Sequence, residues 1–379
     1  MADAFVLGAV RSAIGKRKGV FADTRPDELA AHILASLVAR ANIDPAEVED
    51  VVMGCVTQIG EQGFNIGRMA PLIAGFPVTV TGTSVNRMCA SSLQAINFAA
   101  QAVMSGAMDL AIGAGVESMT RVGMGTDGAG LSTKLTERFD IIPQGLSAEL
   151  MCERWGLRRE ELDAFSLQSH QRAVEAIEKG HFTREIAPLQ VLREGVTVTA
   201  DRDEGPRPDT TLERLRSLKP AFKDTGVVTA ASSSQISDGA AAVLIGSGEK
   251  ARALGLAPRA RIRAMAVAGV DPTIMLTGVV PATHKALAKA GLSLGDIDLF
   301  EVNEAFAPVP MVWARELGCD LDKTNVNGGA IALGHPLGCS GARLLVTLLH
   351  ELERRDKTLG LATLCIGFGM AVATIIERV

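Results

Sequence analysis

Four short stretches of this chain hold residue types that can do chemistry, and each lies where an apolar run gives way to small residues. The first, Val85 to Ser92, is centred on Cys89. The β-prone run Thr79–Ser84 precedes it, and Leu93, Ile96, Ala100 and Val103 follow at helical spacing. Cys89 is therefore expected where a strand passes into a helix. Free N–H groups at a helix start favour a thiolate, the nucleophilic form of cysteine. A free cysteine is more often a packing residue, so the case for Cys89 depends on its company. The second stretch, Val302-Asn303-Glu304-Ala305-Phe306-Ala307, ends an apolar strand at 297–302, where open α/β sheets place ligands. The third, Asn325 to Gly338, sets His335 between Gly334 and Pro336, among glycines that let a ligand or another backbone come close. Of the histidines, His335 has the most unusual surroundings; His32, His170 and His350 sit in helical patterns, and His181 and His284 read as surface residues. The fourth, Cys365 to Met370, puts a second cysteine on a strand-to-glycine turn, where a tuned thiol can move protons and backbone N–H groups can meet an oxyanion.

The set comprises nucleophile, base, acid and oxyanion donors, which suits acyl transfer through a thioester. There is no glycine-rich dinucleotide fingerprint, P-loop, His-Glu-x-x-His or Gly-x-Ser-x-Gly. Redox cofactors, ATP and serine hydrolysis are thus not supported.

Holding four such turns together takes a sizeable fold. The 379 residues suffice for two or three core-forming units, and 47% apolar with 21% charged residues suits a compact protein. A net charge of −5 without a long basic run argues against nucleic acid as a partner. No apolar run reaches the roughly 18–20 residues of a membrane span. Ala4 to Val10 reads as a strand rather than a signal peptide, and Glu377-Arg378-Val379 carries no peroxisomal address. The six cysteines form no Cys-x-x-Cys pair, which argues against zinc and a disulfide framework and for a reducing, cytoplasmic setting.

The chain also repeats itself. Thr24-Arg25-Pro26-Asp27 opens a helix with a hydroxyl cap, and Ala41 to Val52 leads from that helix into a strand. The latter phrase returns from Ala290 at a constant offset of 249 residues. Val85-Asn86-x-x-Cys89 is echoed by Val326-Asn327-x-x-Ala330, and Leu110–Gly115 by Ala362–Gly367. Three echoes in one order indicate an internal duplication. The alternation of strands and helices in each half predicts mostly parallel sheets covered by helices. Residues 118–238 have no counterpart in the second half. They hold a helix pair in 147–180 and many arginines, and an insert of this kind beside a nucleophile shapes a substrate site.

Together the motifs resemble the thiolase family, the acyl-CoA C-acetyltransferases, over the whole chain: Val10 to Gly15, Cys89, Asn303 to Ala307, Gly334-His335-Pro336 and Cys365-x-Gly367. The resemblance implies an α/β thiolase fold, with duplicated halves in a five-layer αβαβα arrangement and an inserted loop domain. The implied divisions are an N-terminal half of 1–117 completed by 239–258, a CoA-binding loop domain of 118–238 and a C-terminal half of 259–379. Carried over, Cys89 would take the acyl group and His335 would activate it. Cys365 would protonate the departing acetyl-CoA enolate and later deprotonate CoA. Asn303, through a water, would join His335 in one oxyanion hole, and the N–H groups of Cys89 and Gly367 would form the other. Arg207 would lie near the nucleotide end of CoA, with Ser234, Gln144, Ala305 and Phe306 as further substrate contacts. The resemblance implies coenzyme A as substrate, no permanently bound cofactor, no metal, and a homodimer or homotetramer.

The chain departs from the family pattern in places. Phe368 replaces a glycine of the last motif, Ala231 and Ser232 stand for Gly-Asn, and Pro143-Gln144-Gly145 stands where many members carry His or Met. The wording Ser234-Gln235-Ile236-Ser237-Asp238-Gly239 leans toward degradative members, and hence to thiolytic cleavage of a 3-ketoacyl-CoA. The alternatives are condensation of two acetyl-CoA molecules, a decarboxylating synthase, against which Cys365 speaks, and a non-catalytic acyl-CoA-binding scaffold.

Overall fold

The computed structural model describes residues 2–379. Its strands, in chain order, are β1 (Ala4–Arg11), β2 (Gly15–Lys16), β3 (Asp50–Gly54), β4 (Thr81–Val85), β5 (Leu110–Ser118), β6 (Leu189–Arg193), β7 (Val196–Ala200), β8 (Ser237–Ser247), β9 (Ala260–Gly269), β10 (Leu299–Val302), β11 (Leu359–Ile366) and β12 (Met370–Arg378). Two sheets form, in the orders β4-β3-β5-β8-β1 and β10-β11-β12-β9. They join edge to edge only where Phe5 and Val6 of β1 pair with Arg261 and Ala260 of β9. Strands β6 and β7 make a separate hairpin in the insert.

The repeat is visible in the pairing. In the first half, β3 pairs in parallel with β4 and β5; in the second, β10 pairs in parallel with β11. A single parallel bridge from Phe300 to Thr324 stands where β4 stands in the first half. The expectation of mostly parallel sheets is corrected: β1, β8, β9 and β12 pair antiparallel with every neighbour. The reason lies in the connections. The βαβ crossovers end with β5 and β11, whereas β12 follows β11 through a tight turn and so must run back beside it.

Helices Ser91–Ser105 and Leu337–Arg354 form the middle layer between the sheets, and Pro26–Ala41 and Val279–Ala290 cover the outer faces. This gives five layers, αβαβα. The two middle helices nearly touch. Ala342 N–H donates to Ser92 Oγ at 2.8 Å, and a Cβ on Gly341 would stand 2.4 Å from Leu93 N. The layer buries Leu93, Ile96, Ala99, Leu345 and Leu348, and with them polar side chains such as Asn97, Arg343 and Thr347. The Pro26 helix lacks the expected Thr24 cap. Arg25 occupies the cap position, its guanidinium engaged by Asp27 in the first turn.

The insert is tied to the first half by a buried ion cluster. Arg11 Nε donates to Glu185 at 2.6 Å and its two terminal nitrogens to Asp203 at 2.7 and 2.9 Å, with the guanidinium 4.9 Å from the centre of the Phe182 ring. No described helix is long and apolar enough to cross a membrane.

Candidate active site

Cys89 sits in a tight elbow between β4 and the 91–105 helix. Met88 takes a left-handed backbone (φ 45°) that side chains rarely adopt, and short-range bonds hold it there. Met88 N–H donates to Asn86 Oδ1 at 2.7 Å, Arg87 N–H to Ser91 Oγ at 2.9 Å, and Ser91 Oγ–H to Met88 O at 2.6 Å. The elbow is braced by Glu117 at the end of β5. Its buried carboxylate accepts from Val56 N, Thr57 N, Gln62 Nε2 and Gly338 N at 2.7–3.1 Å. One side chain thus ties the first half to the start of the 337–354 helix, two residues beyond His335.

The expectation that the helix start favours a thiolate is corrected. Burial pushes the Cys89 thiol up to about 11, outweighing hydrogen bonds from Gly367 N–H, the Gln144 side chain and its own N–H. The resting group is a neutral thiol that needs a base.

His335 is buried with both ring nitrogens engaged. Nδ1 lies 2.5 Å from Ser340 Oγ and Nε2 lies 3.2 Å from Asn303 Nδ2. Burial, and then Arg343, depress its pKa to about 3, so the imidazole is neutral. Asn303 is held at the end of β10 by its N–H to Thr363 O at 3.0 Å; its Oδ1 is buried without a partner. The neighbouring Glu304 is not in the site. It accepts from Ser169 Oγ, Asn325 Nδ2 and Ile331 N at 2.7–3.1 Å and so fastens the loop before the 330–333 turn to the insert.

Cys365 is buried on β11, close enough to Cys89 to feel its charge; burial, and then Cys89, raise its thiol. The turn after it is Gly367-Phe368-Gly369, with Phe368 left-handed at φ 60° and partly exposed.

A cavity of about 630 Å³ opens onto these groups. Cys89, His335 and Gly367 line it, with Gln144, Ser234, Ala305, Phe306 and Phe368. Asn303 and Cys365 are buried and do not line it. Arg207 is not in this cavity. It lines a second one of about 370 Å³ with His170, Arg214, Ala230 and Ala231, and Gln235 belongs to both. The segment 230–236 therefore runs from Arg207 to Cys89 as one wall. Ser234 N–H donates to Ala305 O at 3.0 Å, and Ser233 bridges to Phe306.

Three features go beyond what the sequence predicts. Ser340 at His335 is unforeseen, although a hydroxyl five residues after His335, one turn into a helix, is a readable signal. Gln144, expected as a substrate contact, also shares the cavity with Cys89 and stands beside Gly367. His181 is half-buried rather than a plain surface residue, its Nδ1 lying 3.2 Å from Asn327 Oδ1. Among the described residues no three His, Cys, Asp or Glu side chains gather as a metal would need.

Comparison with known proteins gives one answer along the whole chain. The thiolase N-terminal domain model matches residues 4–249 and the thiolase C-terminal domain model matches 256–378. A 3-ketoacyl-CoA thiolase of Aliivibrio fischeri is 48% identical, covering 100% of both chains. One from Acinetobacter baumannii is 49% identical over 100% of this chain and 98% of its own. The crystal structure of the Bacillus anthracis acetyl-CoA acetyltransferase superposes with a TM-score of 0.93 at 41% identity, covering 100% of this chain and 99% of that one.

Proposed function

Because the chain belongs to the thiolase family and is an acyltransferase, we propose that it cleaves 3-ketoacyl-CoA with CoA, through a thioester on Cys89. The products are acetyl-CoA and an acyl-CoA two carbons shorter. The observation that carries this reading is that Cys89, His335 and Gly367 line one cavity, with Asn303 against His335 and Cys365 buried behind it within reach of the Cys89 charge.

In the first half-reaction His335 Nε2 takes the Cys89 proton as the sulfur attacks the C3 carbonyl. Ser340 Oγ–H donates to Pro336 O, so Oγ accepts from His335 Nδ1–H; the Nε2 lone pair, which accepts from Asn303 Nδ2–H at rest, leaves that bond to take the proton. The C2–C3 bond breaks, and Cys365 protonates C2 of the leaving acetyl-CoA enolate. In the second half-reaction Cys365 takes the proton of incoming CoA, whose sulfur attacks the acyl thioester. Cys89 leaves as a thiolate and recovers its proton from His335. The N–H groups of Cys89 and Gly367, which face the sulfur, meet the oxyanion of the thioester step. His335 Nε2–H, with a water held by Asn303, meets the enolate oxygen. Two half-reactions through one intermediate give ping-pong kinetics.

CoA is read as the ligand spanning both cavities, with its nucleotide end at Arg207 and its pantetheine passing Gln144, Ser234, Ala305 and Phe306. Residues 118–238 then serve as the CoA-binding loop domain between the two thiolase halves, the first of which is completed by 239–258, which hold most of β8. CoA enters as substrate, with no permanent cofactor. A cytoplasmic role in β-oxidation and a homodimer or homotetramer complete the reading. The exposed Phe64, Leu72, Ile73 and Val78 lie on the segments leading to the edge strand β4, a face suited to a second copy.

The test is incubation with acetoacetyl-, medium-chain, long-chain and steroid-linked 3-ketoacyl-CoAs without free CoA, followed by mass spectrometry of the Cys89 peptide. An acyl adduct that added CoA removes supports the reading. No adduct from any substrate, with CoA still bound, would leave an acyl-CoA-binding scaffold. Activity confined to acetoacetyl-CoA would instead favour condensation of two acetyl-CoA molecules, the direction suggested by the name of the Bacillus anthracis relative.

A further inference from the structure

The mechanism above leaves Gln144 with no task at the reacting atoms, yet its side chain stands among them. It lines the cavity with Cys89 and Gly367. A Cβ built on Gly367 would lie 3.2 Å from Gln144 Nε2 and 2.9 Å from Met88 Sδ. The carboxamide therefore fills the space beside the backbone donor that faces the Cys89 sulfur.

Its position is fixed from behind. Gln144 opens the helix Gln144–Trp155, directly after Pro143. The next residue, Gly145, is capped by the Phe222 ring, which would be 2.1 Å from any Cβ there. Phe222 in turn stands edge-on to Phe306, with ring centres 5.7 Å apart. One turn along, the Glu149 carboxylate accepts from Val227 N–H and Val228 N–H, both at 2.9 Å. The start of this helix is thus clamped to the segment that carries the cavity wall, and the carboxamide is held in place before substrate arrives.

We infer that Gln144 is a further catalytic residue, whose Nε2–H donates to the Cys89 sulfur and stabilises it as a thiolate both at attack and at departure. This rests on the reading of Cys89 as the nucleophile. The need for such a donor is plain from the surroundings. The base, His335, is a weak one in its buried setting, and Cys89 has no lysine, arginine or protonated histidine bonded to it. Developing charge on sulfur must be met by neutral N–H groups, and the side-chain donor that stands beside the backbone N–H of Gly367 in the cavity is Gln144. The inserted segment thereby contributes to the chemistry as well as to substrate binding.

The experiment compares wild type, Gln144→Met and Gln144→Glu. It reads the alkylation rate of Cys89 by iodoacetamide, followed on the Cys89 peptide between pH 7 and 10. Over this range the rate tracks the thiolate fraction. Methionine keeps the length and loses the donor; the rate is expected to fall about tenfold at each pH, the size of a one-unit rise in thiol pKa. Glutamate, with a charge of the wrong sign, is expected to fall further. A merely structural role predicts the opposite sign, because a loosened helix start would expose Cys89 and speed alkylation. An unchanged or faster rate in Gln144→Met would overturn the inference. In that event an acyl adduct on wild-type Cys89 would still stand, so failure here and failure of the thiolase reading are told apart.

Discussion

Ser340 Oγ lies 2.5 Å from His335 Nδ1 while its own proton goes to Pro336 O. The hydroxyl acts as acceptor toward the ring and so fixes which nitrogen carries the proton. Ser340→Ala releases both tautomer and ring orientation. The expected result is a fall in kcat of about 10–100-fold, as for loss of a hydrogen bond that orients a working imidazole. Thermal melting should change little. Steady-state thiolysis and a melting curve check both.

Burial pushes Glu301 up to about 8, against the attraction of Arg343, whose Nη1 is 3.2 Å away. Between the ordinary carboxylate range and that value the folded protein holds a proton that the unfolded chain has released. Stability from this group is therefore full at low pH and is lost as pH rises through about 8. Glu301→Gln should remove this slope, worth at most about 1.4 kcal/mol per pH unit. Denaturant midpoints of wild type and variant at pH 5 and pH 8 test it; parallel pH dependence would refute it.

Gly341→Ala should break the middle layer. The added methyl would meet Leu93 N and Cβ at 2.4 and 2.6 Å, a backbone neighbour that cannot rotate away. A loss of about 1–3 kcal/mol is expected from overpacking of this kind. Activity should fall in step with the folded fraction, read by circular dichroism.

Arg11→Ala leaves Glu185 and Asp203 buried without their cation. Removal of one partner from such a cluster costs about 3–5 kcal/mol. Limited proteolysis should then cut within residues 118–238 first, because this cluster fastens the insert to β1.

Phe368→Gly takes a ring out of the cavity wall at a left-handed position that glycine occupies freely. The ratio of kcat/KM for bulky over acetoacetyl substrates should rise by about tenfold, the scale of a pocket contact worth roughly 1–3 kcal/mol. Competition between the two substrates would measure it.

Much of this was readable from residue order. The repeated phrase at 41–52 and 290–300 reports directly on β3 and β10, because a helix, a short turn and a buried strand each leave a local signature. Cys89, His335 and Cys365 announced themselves through the glycines and prolines around them. What the sequence hid was non-local. The direction of β8 depends on partners 120 to 243 residues away, such as Ser118 opposite Asp238 and Ala4 opposite Ser247. Likewise the acidity of Cys89 follows from burial by both halves at once, and no reading of its own helix could supply it. Arg207 could be tied to CoA by motif, but its separation from the catalytic cavity is a matter of chain folding.

The duplication also has an unused side. By the repeat, Ala330 stands in the second half where Cys89 stands in the first, and the strand register sets Val116 on β5 where Cys365 stands on β11. The two-fold pseudosymmetry thus contains a mirror position stripped of both thiols. On the proposed roles, one copy has kept the nucleophile and the other the groups that handle its proton and that of the enolate. On that reading neither half carries a working set, and a fragment ending before β9 would hold Cys89 without His335 or Cys365.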